Sequence, residues 1–439
     1  MNSTANTVNT KSSVSDALLQ KIKDTIKADT PRLESIFKDI HQHPELGFME
    51  VRTAKIVADN LTSLGYEVKT GIAKTGVAGI LKNGDGPIVM YRAYIDANAV
   101  KEDTGLDYAS TVVAARSDGS ESPVAHMCGH DAHTTWMLGL AKFMAENKDT
   151  WGGTLILIGQ PAEELIMGAQ AVVDAGLYTT YAVPVPNYLI ALHTAPGPVG
   201  YLAARGGTLM AGTDQIDVTF YGVGAHGSTP QFAKDPIVMA ANAIMQYQTI
   251  VSRVLAPDDM GVVTVGAVIA GADNNVIPNS ALLKINLRFF KMEVREKMIK
   301  AITSINNGIA RTYGMPEDKL PSMVMKGHSA PLVNDEALIE RVREPLFRLV
   351  GEKHILTEFP AATGSEDAHL LRGEHDKEVP LAYMNVGIAN PDVFAQARKE
   401  GKMVPFANHS PHFVVDLKAI PIGTETGTVA IMALLAKPN

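Results

Sequence analysis

Thr154-Leu155-Ile156-Leu157-Ile158-Gly159-Gln160-Pro161-Ala162-Glu163-Glu164 is the stretch on which the fold turns. Its first six residues are almost wholly apolar and too few for an ordinary helix. Such a run suits a strand buried on both faces of a mostly parallel sheet covered by helices. The run then breaks at Pro161 and delivers two adjacent carboxylates, Glu163 and Glu164. Two other segments repeat this grammar. The apolar run 189–192 leads straight into His193, and the run 88–91 leads through Arg92-Ala93-Tyr94-Ile95 to Asp96. In a parallel sheet the carboxyl ends of strands are where sites assemble, so the three polar endings point to one place.

Working outward, residues 16–40 read as an amphipathic helix interrupted by Pro31, and 51–64 as a helix closed by Gly65. Strands are expected at 66–69, 77–81 and 88–91, with Asn83-Gly84-Asp85-Gly86 turning between the last two. A helix is expected over 134–144. From about residue 203 the pattern changes. Strands at 215–220, 261–267, 280–290 and 322–326 alternate in hydropathy, with helices over 236–254 and 291–313 between them. The order strand-helix-strand-strand-helix-strand is that of a ferredoxin-like sandwich. Helical segments at 334–349 and 423–435 then resume the first pattern. The fold class read from this is α/β: a mixed, mostly parallel sheet flanked by helices, interrupted by an inserted ferredoxin-like α+β domain. The expected division is a leader over 1–15, a catalytic domain over 16–202 and 327–439, and an inserted domain over 203–326.

A chain of 439 residues is long enough for two domains, and its hydrophobic fraction of 46% and charged fraction of 20% are those of a globular protein. The net charge of -8, with no basic run, gives no reason to expect nucleic acid as a partner. No run of about eighteen apolar residues is present to span a bilayer. The leader is rich in Ser, Thr and Asn and lacks the apolar core of a signal peptide. The expectation is a soluble, cytoplasmic chain unless an export signal has been removed. Cys128 is the one cysteine, so no intrachain disulfide forms.

The densest polar cluster is His126-Met127-Cys128-Gly129-His130-Asp131-Ala132-His133. A thiolate and an imidazole two residues apart on a loop turned by Gly129 can reach one metal together. Ala407-Asn408-His409-Ser410-Pro411-His412-Phe413 offers a further imidazole near the far end of the chain.

Taken together, seven segments in order resemble the M20 family of metallopeptidases and amidohydrolases. They are His41-Gln42-His43-Pro44-Glu45-Leu46, the run around Cys128, Gln160-Pro161-Ala162-Glu163-Glu164, Gly224-Ala225-His226, Asn274-Asn275-Val276-Ile277-Pro278, Ser365-Glu366-Asp367 and His409-Ser410-Pro411. The likeness is greatest to the branch of aminoacylases, hippurate hydrolases and auxin-conjugate hydrolases, and covers nearly all of the chain from about residue 33 to 435. The resemblance implies two divalent metal ions bridged by Cys128, with His130 and His193 completing one site and Glu164 and His409 the other. Zn leads the expectation, with Mn, Co and Ni as alternatives. The resemblance further implies Glu163 as general base, Asp96 as orienter of a ligand, and His226 as the group that polarises the scissile carbonyl. Asn275 and Arg288 would hold the substrate carboxylate. Removing an oxyanion donor such as His226 would cost about 3–4 kcal/mol of transition-state stabilisation. The inserted domain would act as a lid and as the surface for a homodimer or higher oligomer.

The chain departs from the family in carrying Tyr94 where relatives have the first Asp of Asp-x-Asp, and Leu165-Ile166-Met167 where glycines are common. The apolar trio suits an aromatic or aliphatic acyl group, so the expected substrate is an N-acyl amino acid or related small amide. A dipeptidase or carboxypeptidase of the same family is the alternative. Two rivals stand further off. A hydrolase with Cys128 as nucleophile leaves Glu163, Glu164, His193 and His409 idle, and a non-catalytic metal-binding homologue has no use for Glu163 or His226.

Overall fold

The computed structural model describes residues 14–116 and 119–437. The chain divides into two compact units. The first comprises Met1–Gly207, Asn334–Phe359 and Asp367–Asn439, and the second Thr208–Val333 with Pro360–Glu366. The short segment Pro360–Glu366 thus sits with the second unit, although its sequence reads as part of the first.

The first unit is built on an eight-stranded sheet: β1 (Glu67–Ile72), β2 (Gly76–Asn83), β3 (Ile88–Tyr94), β4 (Gly153–Gln160), β5 (Tyr188–Pro198), β6 (Leu202–Ala203), β7 (Ile355–Leu356) and β8 (Leu381–Ala389). Their order is β1-β2-β4-β3-β5-β8-β6-β7. The central β4, β3, β5 and β8 run parallel, and β1 and β2 form an antiparallel edge. Residues 155–160 of β4 are all buried, as a strand covered on both faces requires.

Helices α1 (Asp16–Gln42), α2 (Val51–Ser63), α3 (His130–Glu146) and α4 (Ala419–Leu435) belong to the same unit. Gly65 closes α2 at φ 81°, a conformation that suits glycine. Pro31 does not interrupt α1. Pro31 and Lys27, whose carbonyl it leaves without a helical donor, are both exposed, so water can take the bond, while Ile22, Ile26, Leu33 and Phe37 hold the helix through its buried face. Of the expected leader, residues 1–13 lie outside the described residues. Val14 is buried, and the Ser15 hydroxyl caps α1 by accepting from Leu18 N at 3.3 Å.

Helices α1, α3 and α4 pack against one another at close range. Trp136 Nε1 donates to the Ala419 carbonyl at 3.2 Å, and the indole lies directly over Gly423, where a methyl group would stand 2.1 Å from the ring.

In the second unit the strands Gly212–Tyr221, Gly261–Ala270, Ser280–Phe289 and Ser322–Ser329 pair antiparallel, in the order second, third, first, fourth. With the helices Pro236–Thr249 and Met292–Thr312 between them, this is the ferredoxin-like sandwich. Its core is Ile216, Val218, Phe220, Leu283, Leu287 and the helix residues facing them. The expected helix over 236–254 changes pitch, and Ile250–Val254 winds as a π-helix. No described helix of either unit is long and apolar enough to cross a membrane.

Candidate metal centre

Parallel β3 and β4 end together, with Tyr94 opposite Gln160. Asp96 and the Glu163-Glu164 pair therefore leave neighbouring strand ends, and Asp96 Oδ2 accepts from Glu164 N at 2.9 Å. The expectation that His193 follows its strand needs correction. β5 continues through His193 to Pro198, because β8 goes on pairing with it after β3 has stopped at Ala191. His193 stands where that flank of β5 is no longer paired to β3. Gly129, at φ 77°, turns the chain into α3 so closely over Thr194 that an added Cβ would sit 2.5 Å from its methyl group. α3 begins at His130 itself, so this imidazole is fixed by the first helical turn rather than by a loop.

His409 arrives last. It adopts φ 63°, and its N–H donates to the Met127 carbonyl at 2.7 Å, which sets its ring beside Cys128. Two triplets of donor atoms share the thiol, Cys128-His130-His193 and Cys128-Glu164-His409, and the group His130-Glu163-Glu164 adjoins them, the atoms of each lying within 4.8 Å. Cys128 Sγ is 3.5 Å from His193 Nε2, and His409 Nε2 is 3.3 Å from Glu164 Oε2. Glu163 lies alongside, with Oε2 3.7 Å from His130 Nε2.

The donor chemistry fits a divalent cation. His130 donates through Nδ1 to the Asp96 carbonyl and carboxylate at 3.0 and 3.1 Å, and His193 through Nδ1 to the Thr194 carbonyl at 2.6 Å. Both Nε2 lone pairs are thereby turned inward, as in metal-bound histidines. His130 Nε2 and Glu164 Oε1 are buried without a hydrogen-bond partner and face each other at 3.6 Å. Two inward lone pairs left unmet in a buried site call for a positive charge between them. Burial, followed by the negative field of Glu164 and Glu163, pushes the Cys128 thiol well above its ordinary range. A free thiolate is thus disfavoured, which counts against the cysteine nucleophile and leaves a metal as the group that would hold the sulfur ionised. Burial raises Glu164, but the His409 hydrogen bond and the field of His130 outweigh it and bring its pKa to about 2.

Around these donors the fold makes contacts that the sequence alone does not signal. The Tyr94 ring stacks on His130 at 4.5 Å between centroids, and the Arg92 guanidinium lies 3.2 Å over the other partner of that stack, Tyr94 itself. Arg92 also pairs with Asp367 at 2.8 Å and Gln160 at 2.7 Å, all three fully buried. Tyr94 thus packs between His130 and Arg92, and its hydroxyl donates to the Tyr383 hydroxyl at 3.3 Å. Asn408 Nδ2 approaches Cys128 Sγ at 3.6 Å, and Thr194 N donates to His133 Nε2 at 2.8 Å. His133 was visible in the cluster, but only the fold gives it a task, which is to hold the strand carrying His193. The turn bearing Glu163 is flanked by Ala162 at φ 51° and Ile166 at φ 53°, left-handed positions costing about 1–3 kcal/mol each for residues other than glycine.

The remaining expected site residues belong to the second unit. His226 is exposed on the two-residue strand Ala225–His226, paired with Val276–Ile277, and its Nδ1 meets Ser228 Oγ at 2.8 Å. Asn275 is its neighbour, its carbonyl accepting from Gly227 N at 2.7 Å. Arg288 is half-buried elsewhere on the unit, donating to Asn286 Oδ1 at 3.0 Å and Ser365 Oγ at 2.5 Å.

Residues 90–426 match the pattern described as Peptidase family M20/M25/M40. The chain is similar to a hippurate hydrolase of Campylobacter jejuni, 37% identical over 338 residues, which cover 76% of this chain and 83% of that one. It is also similar to an N-acetyl-L-cysteine deacetylase of Bacillus subtilis, 33% identical over 77% of each chain. Among solved structures, a dinuclear metal-binding peptidase of Bacillus subtilis from the M20 family superposes with a TM-score of 0.71. That likeness covers 93% of this chain and 99% of the other at 27% identity.

Proposed function

The chain belongs to peptidase family M20/M25/M40 and is an amide-bond hydrolase, and on that premise we propose that it cleaves N-acyl amino acids with two divalent ions held at Cys128, His130, Glu164, His193 and His409. The observation that carries this reading is the pair of donor triplets sharing Cys128, with His130 Nε2 and Glu164 Oε1 buried and unpartnered between them. Ions bound there would supply Lewis acidity and a water acidic enough to ionise near neutral pH.

The chain's own groups do the rest. Glu163, buried beside the donors and in neither of the two triplets that share Cys128, takes the proton of the attacking water and returns it to the leaving amine. Asp96 holds the His130 tautomer and the Glu164 backbone. By the family resemblance, His226 is the candidate oxyanion donor and Asn275 and Arg288 the candidate carboxylate ligands, all three carried by the second unit. Leu165 and Met167, both exposed beside Glu163-Glu164, give the acyl group an apolar wall. The relatives' names, hippurate hydrolase and N-acetyl-L-cysteine deacetylase, agree with an N-acylated amino acid as substrate.

Metal content and hydrolysis are measured together on a panel of N-acyl amino acids and dipeptides, before and after chelation. The expected result is close to two ions per chain and turnover lost to chelator. Reconstitution with Zn, Mn, Co and Ni in turn names the metal, and preference for dipeptides moves the assignment to the peptidase alternative. Turnover indifferent to chelator and abolished by thiol alkylation rejects the proposal.

The same reading extends to self-association through the second unit. Its edge strand Gly261–Ala270 exposes Val262, Val268 and Ile269, and the helix beside it exposes Met245. Sedimentation at several concentrations tests this, and a strict monomer at all of them rejects it.

A further inference from the structure

Among the described residues, positive φ occurs at seven positions other than glycine: Phe48, Ala73, Lys74, Ala162, Ile166, Ala182 and His409. The first five belong to three turns, around 46–50, 72–76 and 161–166, that lie against one another. A Cβ on Gly47 would come within 3.0 Å of Ala162 Cα, and one on Gly76 within 3.2 Å of Pro161 Cδ. Lys74 Nζ stands 5.1 Å over the Phe48 ring. Strained backbone persists only where its surroundings over-determine it, and it gathers at working sites. These three turns share one polar connection, Glu50. Its carboxyl is fully buried, with Oε1 accepting from Ala162 N at 2.8 Å and Oε2 from the Thr75 hydroxyl at 2.6 Å. On the other side of Glu163, Asp96 holds Glu164 N. Two carboxyl groups therefore grip the amides before and after Glu163.

We propose that Glu50 is a positioning residue for Glu163, tying the left-handed turn at Ala162 to the 72–76 hairpin so that the base is presented at a fixed distance from the donor triplets. This rests on Glu163 being the general base. Glu50 touches none of the metal-donor residues, so its effect is on the rate of proton transfer rather than on metal affinity or substrate binding. Burial, with the Asp96 charge adding to it, raises the Glu50 pKa to about 7, but either protonation state of Glu50 retains an acceptor for Ala162 N. Glutamine retains one as well, and alanine does not.

The test compares parent, Glu50→Ala, Glu50→Gln, Glu163→Gln and the double variant Glu50→Ala/Glu163→Gln, on the panel's fastest N-acyl amino acid. Folding is followed by circular dichroism and metal by content per chain. Glu50→Ala is expected to lower kcat at least about tenfold with KM within about twofold and metal content at the parent level, and Glu50→Gln to stay within about threefold of parent. In the Glu163→Gln background, Glu50→Ala is expected to add less than about twofold, because it acts through a base already removed. A folded, metal-loaded Glu50→Ala protein with parental kcat overturns the proposal, as does a double variant whose losses multiply. If Glu50→Ala does not fold, Thr75→Val carries the test: a lower kcat at unchanged KM supports the link, and parental kcat overturns it. Glu163→Gln at the parental rate overturns the base assignment and this proposal together, whereas an inactive Glu163→Gln beside a parental Glu50→Ala overturns this proposal alone.

Discussion

At the scale of single residues, the candidate donors were legible because their chemistry is unusual in sequence. Cys128 and His130 sit two apart, and Glu164 and His193 each follow an apolar run. What orders them was not legible, since it depends on contacts between residues far apart in the chain. Glu50 meets Ala162 across 112 residues, and Arg92 meets Asp367 across 275. Asp96 holds both His130 and the Glu164 backbone, so Asp96→Ala should weaken metal binding by about 10–100-fold, read by competition with a chromogenic chelator. Glu50 also leaves a mark on stability. Its ordinary pKa of 4.5 rises to about 7 in the folded protein, chiefly through burial. A carboxyl raised on folding stabilises the native state fully below its unfolded pKa, and that contribution is lost as pH climbs through the folded value. Relative to Glu50→Gln, the parent should therefore lose up to about 3 kcal/mol of unfolding free energy between about pH 4 and pH 8. Urea titrations of both proteins across that range measure the difference, and parallel curves would refute it.

At the scale of elements, the apolar runs identified the central strands, and strict alternation identified the ferredoxin-like unit. The misreadings have a common cause, which is that tertiary packing overrode a local signal. Pro31 is tolerated because α1 is held from its buried side, and β5 runs on through His193 because β8 supplies a partner. The same contrast between local propensity and packing makes two glycines respond oppositely to one substitution. Gly423 in α4 lies under the Trp136 indole, so Gly423→Ala should destabilise by about 1–3 kcal/mol through overpacking. Gly308, within Met292–Thr312, would have no atom within 4 Å of an added methyl group. Gly308→Ala should instead stabilise by about 0.5–1 kcal/mol through reduced freedom of the unfolded chain. Denaturation midpoints that moved in the same direction for both would contradict this account.

At the scale of the whole molecule, all five donors belong to the first unit, as do both tryptophans, Trp136 and Trp151. Metal binding should stabilise that unit by about 4 kcal/mol when free metal is a thousandfold above Kd. Chelation should therefore lower the melting temperature followed by tryptophan fluorescence. A fluorescence transition unmoved by chelator would mean that the donors hold no metal under those conditions.

The anchoring of His409 to Met127 has a consequence for how the protein is made. A ribosome delivers Cys128, His130, Glu164 and His193 well before His409, which comes shortly before α4, whose Ala419 carbonyl and Gly423 receive Trp136. A nascent or prematurely stopped chain can therefore assemble the Cys128-His130-His193 triplet but not the one that needs His409. On the proposed reading, a nascent polypeptide stays inert until translation has passed His409 and α4 can seat Trp136.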